Sequence, residues 1–378
     1  MSSEEVGSLA GVRVAIVGGG VFGCTAALDL DAAGAMVDLY EAAPTILDRA
    51  SRRNLMRLHR GYHYPRSVRT ARLARDAAPG FERQYPTAIS YVHDHYYSIA
   101  VEGSRTSVDD FVKFCDDLDL PYDPATPDFL RHEAIDATFL VDEAYIDFKR
   151  LKDVIEHRLF RSNVTVKTGV RATPLVIDTY DYVVLAGYAA TNSFLSSASL
   201  PVPRRRLDIC EVCVVRCPPL VGRSVVVLDG PFVSLVPLPR TDLSLLYHVD
   251  KSVHRRYDNL TDVEEDRLAR LLGGTIRAEP ESTNFEAMRR GAERFVIGAQ
   301  HIEYLASAFE LRSVLADSFG TDARPTEVSW VGPNVLLLFS GKISTCVAGA
   351  TCVREMLIQD LQAPATMSPL RSQRITTI

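Results

Sequence analysis

No segment of this 378-residue chain is apolar for long enough to cross a bilayer, and the first apolar run, 12–17, is far too short. The opening stretch Met1–Ala10 is polar, with Glu4 and Glu5 where a secretory leader would be basic. These absences predict a cytoplasmic protein with no membrane span. Basic excess is missing too: 42 Lys and Arg against 48 Asp and Glu leave a net charge of −6, which offers no electrostatic footprint for nucleic acid. A disulfide framework is also excluded, because the 7 cysteines are odd in number and scattered. Cys210-x-x-Cys213-x-x-x-Cys217 superficially suggests metal ligands, but strand alternation puts Cys210 and Cys213 on opposite faces. His93-Asp94-His95 could offer two imidazoles on one strand face, with no third ligand evident. No metal is predicted. There is no internal repeat and no low-complexity tract.

What remains is ordinary globular material, 47% hydrophobic and 24% charged, with length for two domains or one domain carrying a large insertion. Short apolar runs at 12–17, 36–40, 164–167, 181–186 and 335–339 read as buried strands of a parallel sheet. Helices are predicted over 24–33, ending at Gly34, and over 344–357. Others follow the caps Ser107 and Asp147 and the capping box Thr261-x-x-Glu264, which opens a helix through Leu272. Thr87–Val101 reads as strand. Residues 207–250 read as an antiparallel meander of strands at 209–215, 224–228, 232–238 and 243–249. The fold class is therefore α/β, with a discontinuous Rossmann-type nucleotide-binding domain (1–86, 146–202 and 323–362). It carries an inserted, mainly antiparallel β substrate domain (87–145 and 203–322), and 363–378 forms a flexible tail.

The most specific motif is Gly18-x-Gly20-x-x-Gly23, between an apolar strand and a helix, with Glu41 ending the next strand. Gly18 permits the tight turn, Gly20 lets a pyrophosphate approach the backbone, and Gly23 lets helix and strand pack closely. Exposed N–H groups at the helix start, around Val21 and Phe22, favour phosphate charge. Glu41 stands where a carboxylate would accept ribose hydroxyl hydrogen bonds.

A nicotinamide-binding domain would continue directly into another helix-strand repeat. This chain instead enters a segment rich in Arg, His and Tyr: Ala50-Ser51-Arg52-Arg53-Asn54, then Arg57-Leu58-His59-Arg60-Gly61-Tyr62-His63-Tyr64-Pro65-Arg66. With that segment, the glycine turn, Asp181-Tyr-Val-Val-Leu-Ala-Gly187 and Asn334-Val-Leu-Leu-Leu-Phe-Ser-Gly-Lys-Ile-Ser344, the sequence resembles the D-amino acid oxidase superfamily of FAD-dependent oxidoreductases. That group includes glycine and sarcosine oxidases, glycerol-3-phosphate dehydrogenases and 2-hydroxyglutarate oxidases. The resemblance extends to about residue 358 and implies FAD as cofactor. It implies Ser51 and Arg52 near the pyrophosphate, Val170 near the adenine, and Ala186 and Gly187 beneath the cofactor. His59 and Gly61 are expected near the isoalloxazine, and Gly341, Lys342 and Ile343 at its pyrimidine edge. Lys342 or the following helix N-terminus would there stabilise negative charge on reduced flavin.

For substrate contact the candidates are Arg57, Arg60, Tyr62 and Tyr64, with Arg66 a further carboxylate or phosphate clamp. For catalysis they are His59, His63, Tyr247, His248 and Lys342. If 59–64 is extended, His59, Gly61 and His63 share one face and Arg60, Tyr62 and Tyr64 the other. The leading functional expectation is FAD-dependent removal of hydride from a CH–NH group of a small amine or amino acid-like substrate. Oxidation of a CH–OH group, such as a 2-hydroxy acid, is the alternative, favoured by the hydroxyglutarate-oxidase-like His59 segment. A flavin monooxygenase or a non-redox FAD-binding protein is the alternative of another class; Gly341-Lys342 stands where aromatic hydroxylases carry Gly-Asp. Non-covalent FAD is expected, with molecular oxygen or another electron acceptor, and the sequence leaves the oligomeric state open.

Overall fold

The apolar run that opens the chain becomes the strand Arg13–Val17, at the heart of a seven-stranded sheet. A computed structural model describes residues 9–91, 94–257, 275–276, 282–315, 325–363 and 375–377. Arg13–Val17 pairs in parallel with Met36–Glu41 on one side and Tyr182–Leu185 on the other. Val335–Phe339 pairs in parallel with Tyr182–Leu185, and Thr165–Thr168 with Met36–Glu41. Near-continuous apolar strands follow from burial on both faces: Val14, Ile16, Val184 and Leu336 face one core, and Ala15, Val183, Leu185 and Leu337 the other. Glu327–Trp330 adds an antiparallel edge to Val335–Phe339. Ile375–Thr377 then pairs with that edge. These three residues, expected in a loose tail, satisfy backbone groups that a bare edge strand would leave unpaired.

Three helices, Val21–Ala32, Phe148–Arg161 and Cys346–Gln362, cover the first core. Asp147 caps the second of them by accepting from the Arg150 N–H. The closing helix lies close to the sheet and to the opening helix: a Cβ at Gly349 would stand 3.1 Å from Leu338 and 3.6 Å from the Phe22 ring.

A second, ten-stranded sheet holds most of the middle of the chain. Arg223–Leu228, Val233–Pro237 and Leu243–His248 run as a meander. The expected order fails at Arg205–Arg216. That strand crosses to the far side of Leu243–His248 and pairs with Glu303–Leu315 along nearly its whole length. Arg223–Leu228 instead pairs in parallel with Asp94–Ala100, which pairs with Ile135–Val141. The register places Tyr247, Ser234, Val226, Tyr97 and Phe139 opposite one another on one face. Leu246, Leu235 and Val225 point to the other face and pack against Met288 and Ala292 of the helix Phe285–Glu293.

Helices Val68–Gln84 and Phe285–Glu293 and the strand Glu303–Leu315 carry signals the sequence reading missed. Pro79 masks the first as a helix interior. The strand expected over Thr87–Val101 is shorter, Asp94–Ala100, preceded by a 3₁₀ turn Pro86–Ala88 and the two-residue strand Ile89–Ser90. The Thr261-x-x-Glu264 box and His93 lie outside the described residues. A small three-stranded sheet joins Arg57–Leu58 and Ile89–Ser90 to Ala144–Ile146. Among the described residues no helix is long and apolar enough to cross a membrane. All seven cysteines are buried and none is in a disulfide, as core residues would be.

Gly349→Val would wedge a branched side chain between Leu338, Thr326 and Phe22. Thermal or urea unfolding should show a loss of about 1–3 kcal/mol; an unchanged midpoint would show that the two helices tolerate separation.

Candidate active site

Three turns leave adjacent strands of the parallel sheet at their carboxyl ends. The glycine turn follows Val17, Ala186-Gly187 follows Leu185, and Ser340-Gly341-Lys342 follows Phe339. Ligands of open α/β sheets sit in the crevice outside such ends. Gly18 has φ +114°, and a Cβ there would lie 2.6 Å from the Ala186 carbonyl oxygen. A Cβ on Gly23 would stand 1.9 Å from the Gly18 oxygen. Both glycines are therefore required by backbone approach.

Around this turn the predicted cofactor residues assemble. The Ser51 hydroxyl accepts the Val21 N–H at 3.0 Å, and Ser51 Oγ would be 3.3 Å from a Cβ on Gly20. Glu41 accepts from the N–H groups of Gly19 and Ala43 at 2.8 and 2.7 Å, which fixes the carboxylate while leaving lone pairs for hydroxyl donors. Val170 donates its N–H to the Glu41 carbonyl and is exposed at that edge. Phe22 is buried beneath the turn. Gly341 donates its N–H to Thr326, and Ile343 begins a 3₁₀ turn leading into the closing helix.

The two neighbouring arginines divide in a way the sequence did not reveal. Arg52 is exposed and pairs with Asp48 at 3.0 Å. Arg53 is only 4% exposed, and its Nη1 and Nη2 have no hydrogen-bond partner among the described residues. Burial lowers its pKa, against the opposing pull of Asp48. A buried guanidinium without an anion is costly, so this orphaned charge two residues after Ser51 suits an anionic ligand such as a diphosphate.

The segment after it turns instead of running extended. Only Arg57–Leu58 is strand; Tyr64 N–H reaches the Gly61 carbonyl, and Gly61 has φ +116°. The turn gathers His59, His63 and Tyr64, with ring centroids 5.2–5.7 Å apart. Tyr64 therefore joins the two histidines, where alternation would have put it with Arg60 and Tyr62. Lys342 Nζ lies 4.8 Å over the Tyr64 ring, so the closing turn meets the same cluster.

Beneath the histidines runs a buried polar layer. Arg57 Nη1 donates to Tyr97 Oη at 3.1 Å, and Tyr97 donates to Glu143 Oε1 at 3.1 Å. His59 Nδ1 stands 3.4 Å from the same oxygen. Tyr145 Oη lies 2.8 Å from His95 Nδ1, and the His95 and Tyr97 rings stack. Burial drives the Tyr97 and Tyr145 hydroxyls well above the usual tyrosine range. It also lowers His95 to about 4, although Glu143 pulls the other way. Arg57 is held above its ordinary value: burial opposes the charge, but Tyr97 and Glu143 outweigh it.

Other candidates lie elsewhere or are already engaged. Arg60 is taken up by Glu82 and Asp142 at 2.6 and 2.5 Å. Tyr62 is a core residue whose hydroxyl donates to the Pro121 carbonyl at 2.6 Å. Arg66 grips Asp229 through two nitrogens. His248 and Tyr247 are adjacent on one strand and so face opposite ways. His248 accepts the N–H groups of Asp250 and Lys251 on Nδ1 and packs against Gly291, on the face away from Tyr97. Burial lowers its pKa. Tyr247 lies on the Tyr97 face, where its hydroxyl accepts from Arg312 Nη1 at 2.8 Å. Arg312 also pairs with Asp208 at 2.9 Å, and its Nε has no partner among the described residues. Burial opposes its charge, but Tyr247, Cys210 and Asp208 hold its pKa well above the ordinary value. Arg53, Tyr97, Glu143 and Arg312 escaped the sequence reading because nothing local distinguishes a buried charge from a solvated one. No group of three metal-ligating side chains occurs among the described residues.

His95 gives a pH test. Its folded value of about 4 lies below the ordinary 6.5, so the unfolded chain binds the extra proton between them. Its contribution to stability is complete above pH 6.5 and should drain away as pH falls toward 4. Denaturant titrations should show a shallower slope over that window for His95→Gln than for the natural chain; equal slopes would mean His95 ionises normally.

Known proteins resemble this chain in sequence and in fold. The chain has 32% identity over 163 residues to the FAD-dependent monooxygenase kojA of Aspergillus flavus, a match covering 41% of the chain and 37% of that relative. Matches to the curated relatives span only 37–39% of their lengths. Among solved structures, glycine oxidase from Geobacillus kaustophilus superposes with TM-score 0.67 at 14% identity, over 96% of this chain and 99% of that one. NikD, an unusual amino acid oxidase essential for nikkomycin biosynthesis, gives 0.70 at 13% identity, over 97% and 98%. These likenesses show a shared mixed α/β fold. The family model described as DAO, FAD dependent oxidoreductase, matches residues 13–332. The chain belongs to that family of FAD-dependent enzymes.

Proposed function

We propose that this protein oxidises a CH–NH group of a small amine or amino acid-like substrate with non-covalent FAD. On this reading the seven-stranded sheet forms a discontinuous Rossmann-type half, and the ten-stranded sheet forms the substrate half, with boundaries near 87, 146, 203 and 323. The glycine turn, Ser51 and Arg53 would hold the diphosphate, with Glu41 on the ribose. His59, His63, Tyr64, Gly61 and the Gly341–Ile343 turn would border the ring. When bound, the flavin accepts hydride from the substrate carbon.

One observation carries the carboxylate part of this substrate. Arg312 and Tyr247 form a charged, hydrogen-bonded pair on the same sheet face as Tyr97. A guanidinium with its Nε still to be satisfied and a phenol beside it suits a carboxylate. A neutral amine needs no strong base to release hydride, so binding and orientation supply most of what the chain must contribute. The cluster of His59 and His63 supports oxidation of a CH–OH group as a second reading, because a hydroxyl must lose its proton. Likeness to a fungal monooxygenase favours a third.

Anaerobic mixing separates them. Amino acids or amines should bleach the flavin absorbance without oxygen; bleaching by 2-hydroxy acids alone would select the second reading. A flavin reduced only by a nicotinamide cofactor would support monooxygenation. Arg312→Leu should raise KM about 10–100-fold for carboxylated substrates and leave amines without a carboxylate unaffected; equal effects on both would remove Arg312 from substrate binding. Arg53→Met should weaken FAD binding about tenfold, read by fluorescence quenching, while Arg52→Met should not. Denatured protein should release all its flavin; fluorescence retained on the band in a denaturing gel would show a covalent bond.

A further inference from the structure

Glu143 is the least expected group near the histidine cluster. Its side chain is fully buried, in a turn between Ile135–Val141 and Ala144–Ile146, and the latter strand pairs with Arg57–Leu58. Main-chain pairing thus fixes the turn relative to the segment that carries His59. Glu143 Oε1 accepts from Tyr97 and faces His59 Nδ1 at 3.4 Å, and Oε2 accepts the Arg60 N–H at 3.3 Å. Arg57 neutralises the layer through Tyr97. Such a carboxylate is too firmly held to move toward a ligand, but well placed to orient an imidazole. Its contact with His59 is at Nδ1, the ring nitrogen within ion-pair reach of Oε1.

We infer that Glu143 is a positioning residue: it keeps the proton of neutral His59 on Nδ1 and so presents the Nε2 lone pair to the ring site. This rests on the proposed placement of His59 beside the flavin. In substrate oxidation a bound flavin would take up the carbon–hydrogen electron pair as hydride. The proton on the substrate nitrogen or oxygen passes to His59 Nε2, leaving a C=N or C=O product. The resulting imidazolium is stabilised by the Glu143 charge before it returns the proton to solvent. A second-layer carboxylate commonly fixes a histidine tautomer in this way. The other groups facing His59 are His63 and Tyr64 from its own turn, Lys342 over Tyr64, and Arg57 and Tyr97 behind Glu143.

Nitrogen-15 histidine NMR of the FAD-loaded full chain tests the pairing without any substrate, with the His59 signals assigned by their loss in His59→Asn. The natural chain should show the Nδ1–H tautomer; an Nε2–H tautomer overturns the inference. Glu143→Gln should move the population toward Nε2–H, and Glu143→Asp, which keeps the charge, should restore Nδ1–H. In rapid-reaction flavin reduction, Glu143→Gln should slow the limiting rate roughly 10–100-fold and shift the acid limb of its pH profile to lower pH, since loss of the anion makes the imidazolium easier to deprotonate. Added to His59→Asn, the same change should cost nothing further. Equal losses in both backgrounds with an unmoved pH limb would mean a purely structural role. If no amine or hydroxy acid bleaches the flavin, the functional reading fails, while the NMR result still decides the pairing.

Discussion

The whole arrangement depends on close approach at the carboxyl end of the parallel sheet. Gly23 against the Gly18 carbonyl and Gly349 against Leu338 and Phe22 let two helices lie beside one another over adjacent strands. Both helices begin at the carboxyl ends of their strands, the first with its Val21 N–H held by Ser51 and the second led in by the 3₁₀ turn Ile343–Thr345. A dinucleotide can lie along such an edge with its charged centre at one turn and its ring system at the other. Side chains larger than glycine at these contacts would separate the two turns, whatever chemistry the loops carried.

On this frame the second sheet supplies a face, and the segment from Ser51 to Arg66 supplies the lining between the two. Its short pairing with Ala144–Ile146 anchors it. Its turn at Gly61 gathers three rings beneath Lys342. Charges unsuited to an apolar interior (Arg53, Arg57, Glu143 and Arg312) are concentrated here; Arg57, Glu143 and Arg312 are paired or hydrogen-bonded, and Arg53 keeps Nη1 and Nη2 without a hydrogen-bond partner among the described residues. Proteins bear the desolvation cost of such groups where they bind or transform polar ligands.

The sequence was most legible where one residue type has one physical use. Gly18 and Gly23 announced their turn because no side chain fits the backbone approach there, and Glu41 because a carboxylate there accepts N–H groups of the turn. The apolar strands declared parallel pairing by lacking alternation, and Asp147 and Ser107 cap the helices they were read to cap. Long-range pairing was not legible. Arg205–Arg216 reads as one strand of a meander, yet its main partner begins at Glu303. Burial of charge was equally hidden: Arg52 and Arg53 are neighbours with opposite surroundings. His248 was a candidate beside Tyr247 until strand alternation put it on the wrong face, and Arg60 until two carboxylates claimed it.

The shared crevice is tested most directly by a crystal structure of the FAD-loaded protein. Density should place the diphosphate against Gly20, Val21 and the Arg53 guanidinium, and the ring within contact of His63, Tyr64 and Gly341. Flavin density outside that crevice, with Arg53 still unpaired and the glycine turn bare, would contradict the account.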